Sequence, residues 1–233
     1  VDAGADRVRA PNLVAVDLRA QGQVLALREA EDLAQIERFN AAVEVARESG
    51  LQFELRHLTA SDGSLNYPQS QYEMVRVGVA LYGLSPFADH HSKEYGLRPA
   101  MTATAHVTQV KRVPAGEGVS YGYMHRTAAE TTLALVPVGY AEGLPRDASG
   151  KASVSIHGKT YPISSRIAMD QFVVDVGNDD VTAGDLVTIF GDPAAGVPSA
   201  DDLAVAAGTI NYEIVTRMGG RFHRTYLGQS DLD

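Results

Sequence analysis

Met74-Val75-Arg76-Val77-Gly78-Val79-Ala80-Leu81-Tyr82-Gly83 is a nearly unbroken apolar run, and its reading decides the fold of the first part of the chain. Apolar residues on consecutive positions, here Val75 to Tyr82, suit a parallel strand covered on both faces. A helix–strand unit precedes it. Leu33, Ile36, Phe39 or Asn40, Val43 and Ala46 recur at near-helical spacing, and Gly50 stands where a helix C-cap accepts a left-handed residue. Phe53, Leu55 and His57 then alternate with Gln52, Glu54 and Arg56, which reads as a strand, and a loop with Gly63, Asn66 and Pro68 leads to the next one. Helix and strand in alternation predict βα units.

Past Pro86 to Pro99 the pattern changes. Short runs rich in Val, Thr and Ile follow, punctuated by Gly and Pro: Ala103 to Val113, Thr131 to Val138, Val154 to Ile156, Phe172 to Val176 and Leu186 to Phe190. One helix is expected among them, with Ser199 as N-cap, Asp201 and Asp202 in its first turn and an end near Gly208. This half reads as mainly β.

The composition narrows the function classes. The 233 residues are 45% apolar, enough for a real core, and 20 Lys plus Arg against 29 Asp plus Glu give a formal charge of −9. Nothing in that balance draws the chain to phosphate backbones or anionic membranes, so neither nucleic acid nor membrane is an expected partner. No stretch approaches the roughly 20 apolar residues of a spanning helix, and the start lacks the basic and apolar blocks of a signal peptide. The expectation is a cytoplasmic protein. Zero cysteines exclude disulfides, thiolate metal sites and cysteine nucleophiles. The seven histidines show no His-x-x-x-His spacing, and His90 and His91 are adjacent, so no metal is expected.

Four motifs of the second half are long enough to be specific: Gly118-Val119-Ser120-Tyr121-Gly122, Pro137 to Arg146 (PVGYAEGLPR), Arg166 to Gln171 (RIAMDQ) and Thr209 to Glu213 (TINYE). With Met74 to Pro86 ahead of them, in this order, they resemble the alanine racemase family. The resemblance runs from about Glu29 to Gly228, with Val1 to Arg7 as a further short piece. It implies an α/β fold: part of a (β/α)8 TIM-type barrel over residues 1–98, followed by a mainly β C-terminal domain over residues 99–233. Such barrels take about 250 residues, so at most the later part of one precedes the β domain. It also implies pyridoxal 5'-phosphate as cofactor, alanine as substrate, D-alanine made for peptidoglycan precursors, and a homodimer in which one chain's β domain completes the partner's site.

The chemistry explains the residue types. Racemisation removes the Cα proton on one face and returns one on the other, while the cofactor ring takes up the charge, so two bases are needed. By resemblance one is Tyr121, the other a lysine that also holds the cofactor as a Schiff base. A phenol titrates near 10, and Arg7 is the resembling cation that favours its ionised form and meets the substrate. Arg76 maps onto the arginine that donates to the pyridine nitrogen; because a guanidinium does not give up its proton, it weakens the electron sink. His57 is expected to support Arg76. Ser61, the backbone of Gly78 and Val79, and Tyr212 fall on the phosphate, and Met169, Asp170 and Tyr140 on the substrate side. Glu142 stands where the family usually has Asp. Read outside the motifs, Tyr121 is an ordinary half-buried strand tyrosine and His57 a satisfied core histidine.

The four lysines, Lys93, Lys111, Lys151 and Lys159, lie in no segment like the family's Lys-Ala-Asn-Ala-Tyr-Gly. That segment belongs to the first barrel strand. Two readings therefore stand at this point: the later portion of a racemase, or a noncatalytic remnant that keeps the β domain as a dimerisation or binding module.

Overall fold

The computed structural model describes residues 25–87, 90–164 and 166–227. They fall into two compact units that meet at Glu54 and Leu55.

The first unit contains helix α1, Leu25–Glu48. Ile36 and Val43, two turns apart on one face, are buried. The end is a Schellman closure: Gly50 N–H donates to Arg47 O and Leu51 N–H to Ala46 O, with Gly50 at φ +84° as expected of the C-cap glycine.

The second unit opens with strand β1, His57–Ala60, a short helix α2, Ser61–Asn66, and strand β2, Met74–Arg76. β1 and β2 pair in parallel, His57 opposite Met74 and Ala60 opposite Arg76, which is the helix-linked parallel arrangement expected. The strands are shorter than the pattern predicts. β1 begins at His57 rather than Phe53, since residues 51–56 stay irregular. β2 ends at Arg76 because Gly78 (φ −117°, ψ −87°) turns the chain and Val79–Tyr82 coil into a 3-10 turn. Nor is β2 covered on both faces; its three residues are exposed. Gly83 closes the turn at φ +70°, where a Cβ would stand 1.5 Å from Arg98 O, so only glycine fits.

The rest is a closed β domain. Its strands are β3 (Ala103–His106), β4 (Gln109–Val113), β5 (Gly118–Val119), β6 (His125–Arg126), β7 (Thr131–Val136), β8 (Ser153–Ile156), β9 (Lys159–Ser164), β10 (Phe172–Gly177) and β11 (Leu186–Phe190). Seven form one antiparallel sheet in the order β3-β11-β8-β9-β10-β7-β4. The run Ala103 to Val113, read as one strand, breaks at Val107-Thr108: before the break it pairs with β11, after it with β7. Two residues thus join opposite ends of the sheet, which must curl until its edges meet.

Alternation along β7 and β10 sends Ala134, Val136, Phe172, Val174 and Val176 inward, where they pack with Val154, Ile156, Ile163, Val187, Ile189 and Phe190. Burying each large side chain contributes about 1.5–3 kcal/mol. Helix α3, Ala200–Ala207, is the predicted one: Ser199 Oγ accepts from Asp202 N–H (3.0 Å), the Asp202 carboxylate accepts from Ser199 N–H (2.8 Å), and Gly208 ends it at φ +70°. Helix α4, Asn211–Arg217, packs beside it, a second helix where the pattern predicts one.

Candidate active site

The predicted phosphate residues gather at the C-terminal ends of β1 and β2. Ser61, 4% exposed, accepts with Oγ from Gly78 N–H (3.0 Å) and more loosely from Ala80 N–H (3.5 Å). With its lone pairs occupied by amides, the hydroxyl proton is free to donate outward. No atom lies within 4 Å of where a Gly78 Cβ would stand, so the backbone is open to approach there. Val79 is buried, and it is the Ala80 amide rather than that of Val79 that reaches Ser61. Tyr212, from α4, feels the Asp62 carboxylate beside this cradle; burial first and that charge second push its phenol above the ordinary value.

His57 starts β1 with its Nδ1 3.0 Å from Met74 O. A carbonyl only accepts, so Nδ1 carries the proton and Nε2 of a neutral ring is an acceptor. Nε2 is buried and has no partner among the described residues. Arg76 lies on the neighbouring strand, and among the described residues its guanidinium makes no ion pair.

The second group lies on the β domain. Tyr121 sits at the start of a 3-10 turn, Tyr121–Tyr123, and is 72% exposed, not half-buried in a strand. The backbone that presents it is strained: Ser120 has φ +59° and ψ −172°, a region nearly confined to glycine, and Tyr123 has φ +47°. Ser120 Oγ donates to Arg166 O (2.8 Å), tying this turn to the RIAMDQ segment. Gly118 makes room for the Tyr123 ring, 2.4 Å from where its Cβ would be. A cavity of about 380 Å³ opens here between Ser120, Tyr121 and Tyr123 on one side and Ala168, Gln171 and Phe172 on the other.

Tyr140 and Met169 come together through their backbones. Tyr140 N–H donates to Ala168 O (3.1 Å) and Ala141 N–H to Met169 O (2.8 Å). Gly139 permits this approach, since a Cβ there would fall 2.3 Å from Ala168 O. Met169 and Tyr140 are 59% and 43% exposed. Asp170 is exposed beside Met169. Arg7 lies outside the described residues. Among the described residues no hydrogen bond links the cradle group to the Tyr121 group. The motif reading missed three supports: Ser120, which fixes the tyrosine turn; Asn211, whose Nδ2 donates to Ser85 O (2.9 Å) and Asp201 Oδ1 (2.6 Å) and so fixes the helix bearing Tyr212; and Arg221, described below. Asn211 stood inside a quoted motif; Arg221 stood in none.

A helix-linked parallel strand pair with an amide–hydroxyl cradle at its strand ends, followed by a β domain with an exposed tyrosine, defines an α/β protein with a mainly β second part. The family model described as "Alanine racemase, C-terminal domain" matches residues 100–226, and "Alanine racemase, N-terminal domain" matches residues 18–86. The alanine racemase of Frankia casuarinae is 50% identical over 194 residues, 83% of this chain and 50% of that protein. Among solved structures, alanine racemase from Streptomyces lavendulae superposes with a TM-score of 0.81 at 50% identity over 83% of this chain and 51% of that one. The Streptomyces coelicolor enzyme gives a TM-score of 0.82 at 46% identity over 84% and 52%. The chain belongs to the alanine racemase family, with the partial barrel and mainly β C-terminal part of that fold. It spans about half the length of the relatives it matches.

Proposed function

We propose that this chain is the cofactor- and substrate-binding later portion of an alanine racemase, interconverting L- and D-alanine with pyridoxal 5'-phosphate and supplying D-alanine for peptidoglycan. The proposal includes a division into a partial barrel over 1–98 and a β domain over 99–233, a homodimer, and a cytoplasmic setting. Among the described residues no helix is long and apolar enough to cross a membrane. The observation that carries the reading is the presence, in one chain, of an amide–hydroxyl cradle at the parallel strand ends and a tyrosine held out on a strained turn.

The residues present fit the cofactor. The buried Ser61 hydroxyl, with the Gly78 and Ala80 backbone beside it and Tyr212 close by, would hold the phosphate by neutral donors. When bound, the cofactor supplies an electron sink for the charge left at Cα. Arg76 would donate to the ring nitrogen and keep its own proton. The unpartnered, buried Nε2 of His57 is an acceptor left over once Nδ1 is tied to the strand that carries Arg76, and it would receive a guanidinium N–H. The lysine that anchors the cofactor in the family is not among this chain's four.

Tyr121 would move the proton on one face of Cα. Its exposure suits a group that meets a partner's surface, where water is excluded and a nearby cation, Arg7 by resemblance, favours the phenolate. Met169, Asp170 and Tyr140 would line the substrate carboxylate and the approach to it. The test is racemisation of L-alanine by this chain joined to the half of the Frankia relative that it does not match, with pyridoxal 5'-phosphate present. Activity that Ser61→Ala lowers and added cofactor restores supports the proposal. Cofactor binding without racemisation would favour the noncatalytic remnant.

A further inference from the structure

Glu142 is a carboxylate only 3% exposed, in the turn that follows Gly139. Its Oε2 accepts from Gly139 N–H (2.8 Å) and its Oε1 from Arg221 Nε (2.7 Å). Arg221 comes from the segment after α4, and its Nη2 donates to Pro137 O (3.0 Å) and Asp170 O (2.8 Å). One ion pair thus ties three strands of backbone together: the approach to Tyr140, the Met169–Asp170 turn and the C-terminal segment. Gly219 N–H adds a bond to Glu142 O (3.0 Å).

The consequence lies in the peptide planes. The carbonyls of Ala168, Met169 and Asp170 accept, in succession, from Tyr140 N–H, Ala141 N–H and Arg221 Nη2. In a trans peptide the N–H points opposite to its carbonyl. Held and polarised from behind, the next N–H groups, those of Met169, Asp170 and Gln171, are directed away from the clamp, and among the described residues none of them donates a hydrogen bond. The charged donor stands at the last of the three. Arg221 pulls the Glu142 carboxyl below its usual range, more than burial raises it, so the pair stays ionised.

We propose that Arg221 and Glu142 are positioning residues for the Met169–Gln171 turn, fixing its free amides toward an anionic group such as the carboxylate of an amino acid. This deepens the racemase reading and rests on it for the identity of the anion. A lysine at 221 keeps the charge but offers no planar fork, so it cannot reach Glu142 and both carbonyls together.

The test is amide hydrogen exchange in the full 233-residue chain, which needs no activity. Arg221→Ala is expected to speed exchange of Tyr140 and Ala141 about tenfold or more, the loss of a charge-assisted bond. Val136 and Val174 in the sheet should stay within about twofold. Arg221→Lys should fall between, and Glu142→Gln, which keeps its shape but loses its charge, should move the same two amides. Unchanged exchange at Tyr140 and Ala141, or a rise shared equally with the sheet, overturns the proposal. Because exchange reads the clamp alone, failure of the racemase reading shows separately in the alanine assay.

Discussion

A few backbone positions carry the site, and they are constrained by what stands next to them. Gly139 has backbone on the far side of its missing Cβ, Ala168 O at 2.3 Å and Met169 C at 2.4 Å, and neither can give way as a side-chain tip could. Gly139→Ala should therefore cost about 1–3 kcal/mol, read by urea unfolding, and part the Tyr140 and Met169 turns. Glu73 offers a pH test. The Arg56 side chain, then its N–H, hold this carboxyl down to about 2. A lowered folded-state value means that its stabilisation is complete above the ordinary carboxylate range and is lost as pH falls from about 4.5 toward 2. Glu73→Gln should flatten the acid side of the stability profile in that window while leaving its slope above pH 6 unchanged. Tyr121 and Arg76 sit in long motifs, which is why the sequence singles them out, whereas Ser61 stands outside those motifs and is singled out by resemblance alone. Their supports were not legible. Ser120 works through a φ that no side chain announces, and Arg221 meets Glu142 across 79 positions of sequence.

At the scale of elements, local chemistry was read best where caps act. Ser199 and Asp202 cap each other's backbone, so Ser199→Ala should lower stability by about 1 kcal/mol, seen as a shift in urea midpoint with unchanged slope. Gly50 and Gly208 likewise end helices through the left-handed geometry that their sequence context implies. Strands were harder. β9 escaped notice because Pro162 lies within it, yet it pairs with Ser153 of β8 and its Tyr161, Ile163 and Ser164 are buried. The apolar run through Val75 to Tyr82 promised a longer strand than exists, since a run of small and apolar residues fits a 3-10 turn as well as a ladder, and Gly78 decides between them. Its exposed residues belong to a two-stranded sheet, an edge that in a complete barrel is paired. The break at Val107-Thr108 was invisible in the pattern because both halves are β; only the change of partner from β11 to β7 separates them.

For the whole molecule, the order of the parts was the legible feature: helix and parallel strand first, antiparallel sheet after, as the switch in hydrophobic pattern near Pro86 to Pro99 implies. The curling of the β domain follows from two consecutive strands, β3 and β4, that stand at opposite ends of one sheet and are joined by two residues. Tyr121, Tyr140 and Met169 are exposed on the β domain, and the cradle lies at the ends of the parallel strands with no hydrogen bond to them among the described residues. Under the proposed function, two copies bring a cradle from one together with a tyrosine from the other. In that assembly Tyr121 would handle the proton on one face of Cα. The direct measurement is deuterium entry at Cα from D2O, starting separately from L- and D-alanine, with the racemising assembly carrying Tyr121 or Tyr121→Phe. Tyr121→Phe is expected to lower racemisation by at least about a hundredfold while one enantiomer still takes up deuterium without inversion. Racemisation at an undiminished rate from both enantiomers would contradict that role for Tyr121.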